Sequence, residues 1–429
     1  MTPTGYLGVA LGSTAAVACA VLVANLALDP FALGHAPAEA EMHAARDSGR
    51  DAFWRKALAV STARPATLIL GTSRANTGLD AASPAWETAA TSALGTAAKP
   101  APGTAATSAS GTAAKPAFNL ALPGANVEQI RDLLVHARNA GPLRQVVVGL
   151  DLEAFLGPGR SDFDLALLAG NRDSAPDWMN RLRLHLSWRA LAASAERLGG
   201  AHDGAAQAAS AEGQRRAFQV TEFRNMHAQL ALLFPRWPPG TQWDSTPRRA
   251  ASMRAFRELL AYARSNRIDL RLFISPVHAR YLELYREVGW WPAFEAWKRA
   301  LVQAVADEAA GSAGDAFPLW DFSVYNRITA EPLPSGSDLG TTMRWYLESS
   351  HYSRAHGEMI LRRVLEPPAD SPAERAADPD AHGTRLELRN IEPQLRRIRN
   401  DAERYRAAFP TDAAEVQAIA NFMRRVARR

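Results

Sequence analysis

Short, continuously apolar runs alternate with longer amphipathic stretches from residue 66 onward. Runs of this kind, bounded by glycine, proline or polar residues, predict buried strands. The predicted strands are 66–71, 117–122, 144–152, 268–276 and 317–324. Because they show little polar alternation, we expect both faces of the strands to be covered, as in a parallel sheet.

Helical spacing fills the intervals between these strands. Val127, Ile130 and Leu134 recur at intervals of three and four residues, until a Gly-Pro pair ends the pattern. Two more amphipathic helices fit 247–265 and 292–309. Strands separated by helices predict an α/β domain over residues 65–365, in which a parallel sheet is flanked by helices in three layers.

The first apolar segment of the chain differs from these runs. Residues 6–28 contain no charged side chain, and as a helix they would extend roughly 35 Å, enough to cross a bilayer. A cleaved signal peptide is the alternative, but no basic residue precedes the segment, which exceeds the usual length of about 7–15 apolar residues. A lipoprotein site at Cys19 fits less well, because the apolar run continues past it. The sequence predicts one transmembrane helix after a short N-terminus at 1–5.

The rest of the chain divides by composition. Residues 29–64 look like a juxtamembrane connector, and 90–116 form a low-complexity loop with two near-identical Ala-, Gly- and Pro-rich copies. Residues 153–245 predict a mostly helical insertion, 366–383 a Pro-rich linker and 384–429 a basic helical tail. Four tryptophans of the insertion have two interpretations, packing anchors or platforms for sugar rings. They are Trp178, Trp188, Trp237 and Trp243.

Composition narrows the class of protein. With 429 residues, 47% of them hydrophobic, the chain can bury a substantial core. The net charge of +5 is spread along the chain except for a small arginine cluster at the C-terminus, so nucleic acid is not an expected partner. Charge also leaves the membrane orientation open, because no Lys or Arg precedes the apolar segment and the first one after it is Arg46. The single cysteine excludes intramolecular disulfides and cysteine metal clusters.

Polar residues follow the predicted strands at their carboxyl ends, where open parallel sheets bind ligands. Ser73 follows the first strand in "GTSR", and Gly124 and Asn126 follow the second in "LPGAN". Asp151 ends the third strand and His278 the fourth. A serine at a strand-to-helix turn is well placed to act as a nucleophile, although an N-cap is the common role of such a serine.

A serine nucleophile needs a base and an orienting acid. Glu348 precedes His351 by three residues in "ESSHY", so its carboxylate can hold the imidazole while the other ring nitrogen faces the serine. His278 is an alternative base or a substrate-binding residue. A metal site of Glu348, His351 and His356 is a further alternative, but the paired-histidine zinc motif is missing, so no metal or other cofactor is expected. Arg74 would bind an anionic substrate group or form a structural salt bridge.

These motifs resemble the SGNH hydrolase superfamily. "LALDPF", "GTSR", "FNLALPGAN" and "ESSHY" are similar to membrane-anchored SGNH-like proteins of bacteria, akin to the acetyltransferases and esterases of exopolysaccharides. The resemblance covers roughly residues 65–365 and neither the insertions nor the tail. It implies a flavodoxin-like fold in which Ser73 is the nucleophile, His351 the general base, Glu348 its orienting acid and Gly124 a backbone oxyanion donor.

The sequence departs from the family pattern at three positions. Thr72 stands where the family has an aspartate, and Glu348 replaces the usual aspartate before the histidine. Asp151 stands near the place where many members have an oxyanion-hole asparagine, for which Asn126 is a candidate substitute. An Asp151 carboxylate would repel an oxyanion unless it is protonated or turned away, and the alternative is a substrate contact.

The resemblance implies a membrane-anchored serine esterase or O-acyltransferase that acts on an acyl ester, most plausibly acetyl, of a cell-envelope carbohydrate or an acylated small molecule. It implies a bacterial inner-membrane protein whose main domain faces the periplasm or the exterior. The alternative is a catalytically degenerate, anchored scaffold that binds proteins of envelope polysaccharide assembly. The missing asparagine favours the scaffold, and the serine, acid and histidine favour the enzyme.

Overall fold

A computed structural model of the chain describes residues 3–28, 52–86, 117–156, 247–312, 314–333, 343–365 and 382–426, with isolated positions between 185 and 243. The predicted loop at 90–116 and nearly all of the linker at 366–383 lie outside these residues, as does most of the insertion at 153–245. The chain forms two compact units. The first comprises Met1–Arg64, His136–Pro142 and Asp162–Ala208, and the second comprises Pro65–Val135, Leu143–Ser161 and Ala209–Arg429.

The first unit contains helices α1 Pro3–Leu28 and α2 Ala52–Ala63. Among the described helices, α1 is the one that is long and apolar enough to cross a membrane. Its side chains Leu11, Val17 and Val23 are each 64% exposed, so the described residues leave this apolar surface uncovered. At the end of α1, buried Asn25 donates to the carbonyl of His185. The N-terminal apolar helix of the sequence prediction is therefore present.

The second unit contains the strands β1 Thr67–Leu70, β2 Phe118–Asn119, β3 Gln145–Leu150, β4 Asp269–Ile274, β5 Leu319–Asp321, β6 Tyr346–Glu348, β7 His351–Tyr352 and β8 Thr384–Arg385. Six of them form one sheet in the order β2-β1-β3-β4-β5-β8, in which β1 to β5 pair in parallel and β8 pairs with β5 antiparallel. Strands β6 and β7 form a separate antiparallel hairpin. The α/β class is confirmed, although the sheet is mixed rather than wholly parallel.

The remaining helices lie between these strands or after the last one, and helices flank the sheet. They are α3 Ser73–Gly78, α4 Val127–Ala140, α5 Leu152–Leu156, α6 Pro247–Ser265, α7 Ala279–Glu287, α8 Trp291–Ala310, α9 Arg354–Leu365, α10 Ile391–Ala408 and α11 Pro410–Val426. Helix α4 passes from the second unit into the first. The apolar residues that predicted the sheet fill its core, because every residue of β3 after Gln145 is buried.

The C-terminal segment takes part in the fold of the second unit. Its β8 adds the antiparallel edge strand that the tail's sequence did not predict, since the strand has only two residues. Helix α11 packs on α7, where Arg280 pairs with Asp412 and Glu415. Arg406 of α10 pairs with buried Glu283 of α7. Part of the tail's charge is therefore used within the protein.

A close contact between two glycines brings α3 against α9. A Cβ atom on Gly357 would lie 1.8 Å from the carbonyl oxygen of Gly78, and one on Gly78 would lie 2.0 Å from the ring of Tyr352. Helix α3 begins at Ser73, and Tyr352 directly follows His351. The absence of side chains at these two glycines therefore allows α3, which begins at Ser73, to pack closely against α9 and against β7, which begins at His351.

We expect Gly357→Ala to lower the free energy of unfolding by roughly 1–3 kcal/mol, because the added methyl group meets backbone that must shift. Gly311→Ala is the control, because the nearest atom to its Cβ lies at 3.4 Å and its φ is −83°. Thermal melting followed by circular dichroism measures both variants. Equal melting temperatures would contradict the account of this contact.

Candidate active site

The chain turns sharply between β1 and α3 to present Ser73. Gly71 has a φ of +143°, and a Cβ there would lie 2.9 Å from the carbonyl oxygen of Gly149 on the neighbouring strand. Only glycine fits this position comfortably. Thr72 is the N-cap of α3, and its hydroxyl accepts from the Arg74 amide at 3.4 Å. The N-cap alternative for Ser73 is therefore wrong, because Thr72 occupies that position.

The structure brings Ser73, His351 and Glu348 together, with the histidine between the serine and the glutamate as predicted. Ser73 Oγ lies 2.8 Å from His351 Nε2, and His351 Nδ1 is hydrogen-bonded to Glu348 Oε1. The other carboxylate oxygen of Glu348 accepts from the Ser350 amide at 2.7 Å. A donor at Nδ1 leaves Nε2 as the acceptor for the serine hydroxyl, which is the tautomer that a general base needs.

A tight hairpin explains why an acid three residues before a histidine can hold it. Glu348 ends β6, His351 begins β7, and the two residues are paired across the turn made by Ser349 and Ser350. The glutamate is 3% exposed, whereas 22% of the His351 side chain remains accessible. The carboxylate is thus shielded, while part of the imidazole is open to solvent.

Arg74 and Asp151 are turned into the protein. Asp151 Oδ2 accepts from the Thr72 hydroxyl, and its Oδ1 lies 3.0 Å from Arg74 Nη1. The two residues are 4% and 3% exposed. The structure favours the salt-bridge interpretation of Arg74 over substrate binding, and the carboxylate of Asp151 is directed to Thr72 and Arg74.

Glu153, which the sequence did not single out, completes the salt bridge. It accepts from both terminal nitrogens of Arg74, at 2.8 and 2.9 Å, and from the hydroxyls of Tyr281 and Tyr285 at 3.0 and 2.7 Å. Burial opposes the charged carboxylate, but Arg74 outweighs burial and lowers the pKa of Glu153 to about 2. The sequence did contain one signal for Glu153, since it is a second acid, after Asp151, at the carboxyl end of the third predicted strand.

The two oxyanion candidates have different surroundings. Gly124 is exposed in a β-turn that is closed by the Ala125 amide donating to the Leu122 carbonyl at 3.2 Å. Asn126 begins α4 with a capping box, because its side-chain oxygen accepts from the Gln129 amide and its own amide donates to the Gln129 side chain, both at 2.9 Å. The side-chain oxygen of Asn126 is therefore used to cap a helix.

His278 is buried and uses both ring nitrogens within the protein. Nδ1 accepts from the Arg280 amide at 3.3 Å as the N-cap of α7, and Nε2 donates to the carbonyl of Glu331 at 2.7 Å. Burial lowers the pKa of His278 to about 4, despite the backbone hydrogen bond. The interpretation of His278 as an alternative base is wrong, since the Ser73 hydroxyl is paired with His351 instead.

The residues of the alternative metal site are engaged in separate contacts. His356 Nε2 lies 2.5 Å from His382 Nε2, whereas Glu348 and His351 bind each other. Among the described residues, no group of three or more His, Cys, Asp or Glu could hold a metal ion. Of the four tryptophans, Trp237 and Trp243 are 2% and 1% exposed and pack in the core, whereas Trp178 and Trp188 lie outside the described residues.

Comparisons with protein-family models, with curated proteins and with solved structures found no match to this chain. The chemistry of the site therefore has to be argued from its own geometry. That geometry is a serine hydroxyl, an imidazole and a shielded carboxylate in hydrogen-bonded succession, which is an arrangement that activates a nucleophile.

We expect the melting temperature to fall as the pH is lowered from about 6.5 to about 4, because buried histidines take up protons only on unfolding. Burial lowers the pKa of His278 and His382 to about 4 each, and burial together with the neighbouring His382 also lowers the pKa of His356. Their folded-state pKa values lie below the unfolded ones. Their contribution to stability is therefore fully present above pH about 6.5 and is lost as the pH falls toward about 4.

His278→Asn isolates one contribution, because asparagine can cap α7 without titrating. Its free energy of unfolding should depend less on pH than that of wild type, by up to about 1.4 kcal/mol per pH unit. Denaturation followed by tryptophan fluorescence at several pH values measures the difference. An unchanged dependence would contradict the burial of His278.

Proposed function

We propose that this protein is a membrane-anchored serine esterase or O-acyltransferase of the SGNH type. The observation that supports the proposal is the hydrogen-bonded succession Ser73, His351, Glu348. Ser73 lies 278 residues from His351 in the chain, so local sequence preference does not account for the meeting of the serine with the histidine and its acid. The motifs around Ser73, Gly124 and His351 that resemble the SGNH superfamily support the same proposal.

In the proposed mechanism, His351 Nε2 takes the proton of Ser73 as the serine oxygen attacks the acyl carbonyl. Glu348 holds the imidazole and stabilises the imidazolium that forms. Backbone amides of Ser73 and Gly124 donate to the tetrahedral oxyanion. The imidazolium then returns the proton to the leaving alcohol, which leaves an acyl-serine.

The acyl-serine is resolved by the same groups. His351 deprotonates the incoming hydroxyl group, whose oxygen attacks the acyl carbonyl, and the imidazolium then returns this proton to Ser73 Oγ as it leaves. With water the product is a free acid, and with a sugar hydroxyl it is a new ester. We propose an acetyl ester of a cell-envelope carbohydrate as the substrate class, and an inner-membrane location with the main domain outside the cytoplasm. The exposed apolar helix α1 supports the anchor.

A second candidate function is a non-catalytic, anchored scaffold in envelope polysaccharide assembly. Asp151 favours it, because a buried carboxylate bonded to Thr72 and Arg74 occupies the end of β3, where an asparagine would complete an oxyanion hole. Under this alternative the fold keeps the serine and the histidine without turnover. The two functions differ in whether the full chain forms and releases an acyl group.

We expect the full chain in detergent to hydrolyse p-nitrophenyl acetate, with kcat/KM reduced at least about 10³-fold in Ser73→Ala and His351→Ala. Glu348→Gln should lower kcat by about 10²–10⁴-fold, because the amide no longer enforces the tautomer or stabilises the imidazolium. Release of p-nitrophenolate measures the rate. Ser265→Ala is the control, because that hydroxyl is exposed and contacts only carbonyls of its own helix.

A folded wild type whose hydrolysis equals that of Ser73→Ala would contradict the esterase proposal and favour the scaffold. Equal activity of wild type and His351→Ala would contradict the relay even if hydrolysis occurs. If hydrolysis depends on both residues, acetylated sugars with and without a second sugar acceptor then distinguish the esterase from the transferase.

A further inference from the structure

Glu153 sits where the third strand passes into α5, and its carboxylate collects donors from two directions. Arg74 approaches it with two parallel N–H groups, and Tyr281 and Tyr285 of α7 approach with their hydroxyls. The guanidinium also lies over the ring of Tyr281, at 5.2 Å from its centre. Bidentate pairing of this kind fixes the plane and the position of an arginine more tightly than a single ion pair does.

The remaining donors of Arg74 reach the hairpin that carries the base. Arg74 Nε donates to the Ser350 carbonyl at 3.0 Å, and Nη2 donates to the Ser350 hydroxyl at 3.2 Å. Ser350 directly precedes His351, and Arg74 directly follows Ser73. One side chain therefore connects the backbone beside the nucleophile to the backbone beside the base.

Arg74 can hold these contacts only while the Glu153 carboxylate neutralises its charge. The Arg74 side chain is 5% exposed, and a guanidinium this deeply buried is costly unless opposite charge neutralises it. Asp151 is the other carboxylate in contact, but it meets Arg74 through one nitrogen and is shared with the Thr72 hydroxyl. Without the Glu153 charge, Arg74 would reorient toward Asp151 or water and release the Ser350 carbonyl.

We propose that Glu153 is a positioning residue for the Ser73–His351 pair, which it aligns by holding Arg74 against the Ser350 backbone. The inference rests on the proposed function, since the pair is the candidate relay. It also assigns Arg74 a purpose other than substrate binding. The chain thus aligns its nucleophile and its base by an ion pair whose side-chain hydrogen bonds go to Ser350 and Glu153 rather than to the Ser73 hydroxyl or the His351 ring.

The test compares Glu153→Gln with wild type in the full chain in detergent. Because a small displacement of reacting groups costs up to about 10²-fold in rate, we expect kcat for p-nitrophenyl acetate to fall about 10–100-fold, with KM changed less than about twofold. A second readout does not need turnover. The proton shared by His351 Nδ1 and Glu348 gives a far-downfield NMR resonance in ¹⁵N-histidine-labelled protein, identified by its loss in His351→Ala, and we expect it to disappear in Glu153→Gln.

Glu295→Gln is the matched control. The Glu295 side chain is 8% exposed, against 14% for Glu153. Glu295 accepts two N–H groups from one arginine, Arg399, at 2.6 and 2.7 Å, and one from Trp291 at 2.8 Å, but it lies on α8 and its arginine lies on α10. The Glu295→Gln variant should have a lower melting temperature, with kcat and the His351 resonance unchanged.

If Glu153→Gln fails to fold, the double variant Tyr281→Phe/Tyr285→Phe replaces it. This variant removes the two hydroxyl donors and keeps the charge of Glu153, and we expect a smaller loss of kcat with a broadened resonance.

The outcomes separate this inference from the proposed function. A wild type without turnover whose resonance is lost selectively in the Glu153 variant would contradict the esterase and support the positioning role. A wild type with turnover, in which Glu153→Gln matches Glu295→Gln in kcat and resonance, would overturn the positioning role alone. A folded wild type that lacks both turnover and the resonance would overturn both proposals.

Discussion

Arg74 places a guanidinium in the protein interior one residue after the candidate nucleophile, with 5% of its side chain exposed. Burial opposes that charge, but Glu153 and Asp151 raise the pKa of Arg74 well above its usual value and keep it ionised. Asp151 and Glu153 supply the opposite charge just past β3, and the carbonyl and hydroxyl of Ser350 in the β6–β7 hairpin accept further N–H groups of Arg74. The polar contacts of one buried guanidinium therefore constrain the geometry of three distant segments, and the candidate site lies within that constraint.

Helix α7 extends this constraint toward the C-terminus. Tyr281 and Tyr285 face Glu153, whereas Arg280 and Glu283 pair with Asp412, Glu415 and Arg406 of the last two helices. His278 caps the same helix and is uncharged at neutral pH, because burial lowers its pKa to about 4. The C-terminal helices α10 and α11 thus support α7, which supplies the two tyrosines that contact Glu153.

Much of the fold and the core of the site followed from local sequence signals. The apolar runs predicted all five parallel strands, because both faces of such strands are buried and their composition is distinctive. Ser73, His351 and Glu348 were recognisable because a serine after a strand and an acid three residues before a histidine are patterns that a turn can bring together. Glu153 was not recognisable, because its partners Arg74, Tyr281 and Tyr285 come from distant segments. The edge strand β8 was also missed. It has only two residues, and they pair with β5 through backbone hydrogen bonds, which leave no pattern in the side chains.

In the proposed mechanism, His351 activates the hydroxyl of Ser73. Intact-mass spectrometry of the full chain after reaction with a fluorophosphonate tests it most directly, since this reagent modifies serines whose hydroxyl is deprotonated by a neighbouring base. We expect a single adduct, which peptide mapping places on Ser73 and which is absent from Ser73→Ala and His351→Ala. A folded wild type without an adduct, or an adduct that forms equally in His351→Ala, would contradict this activation.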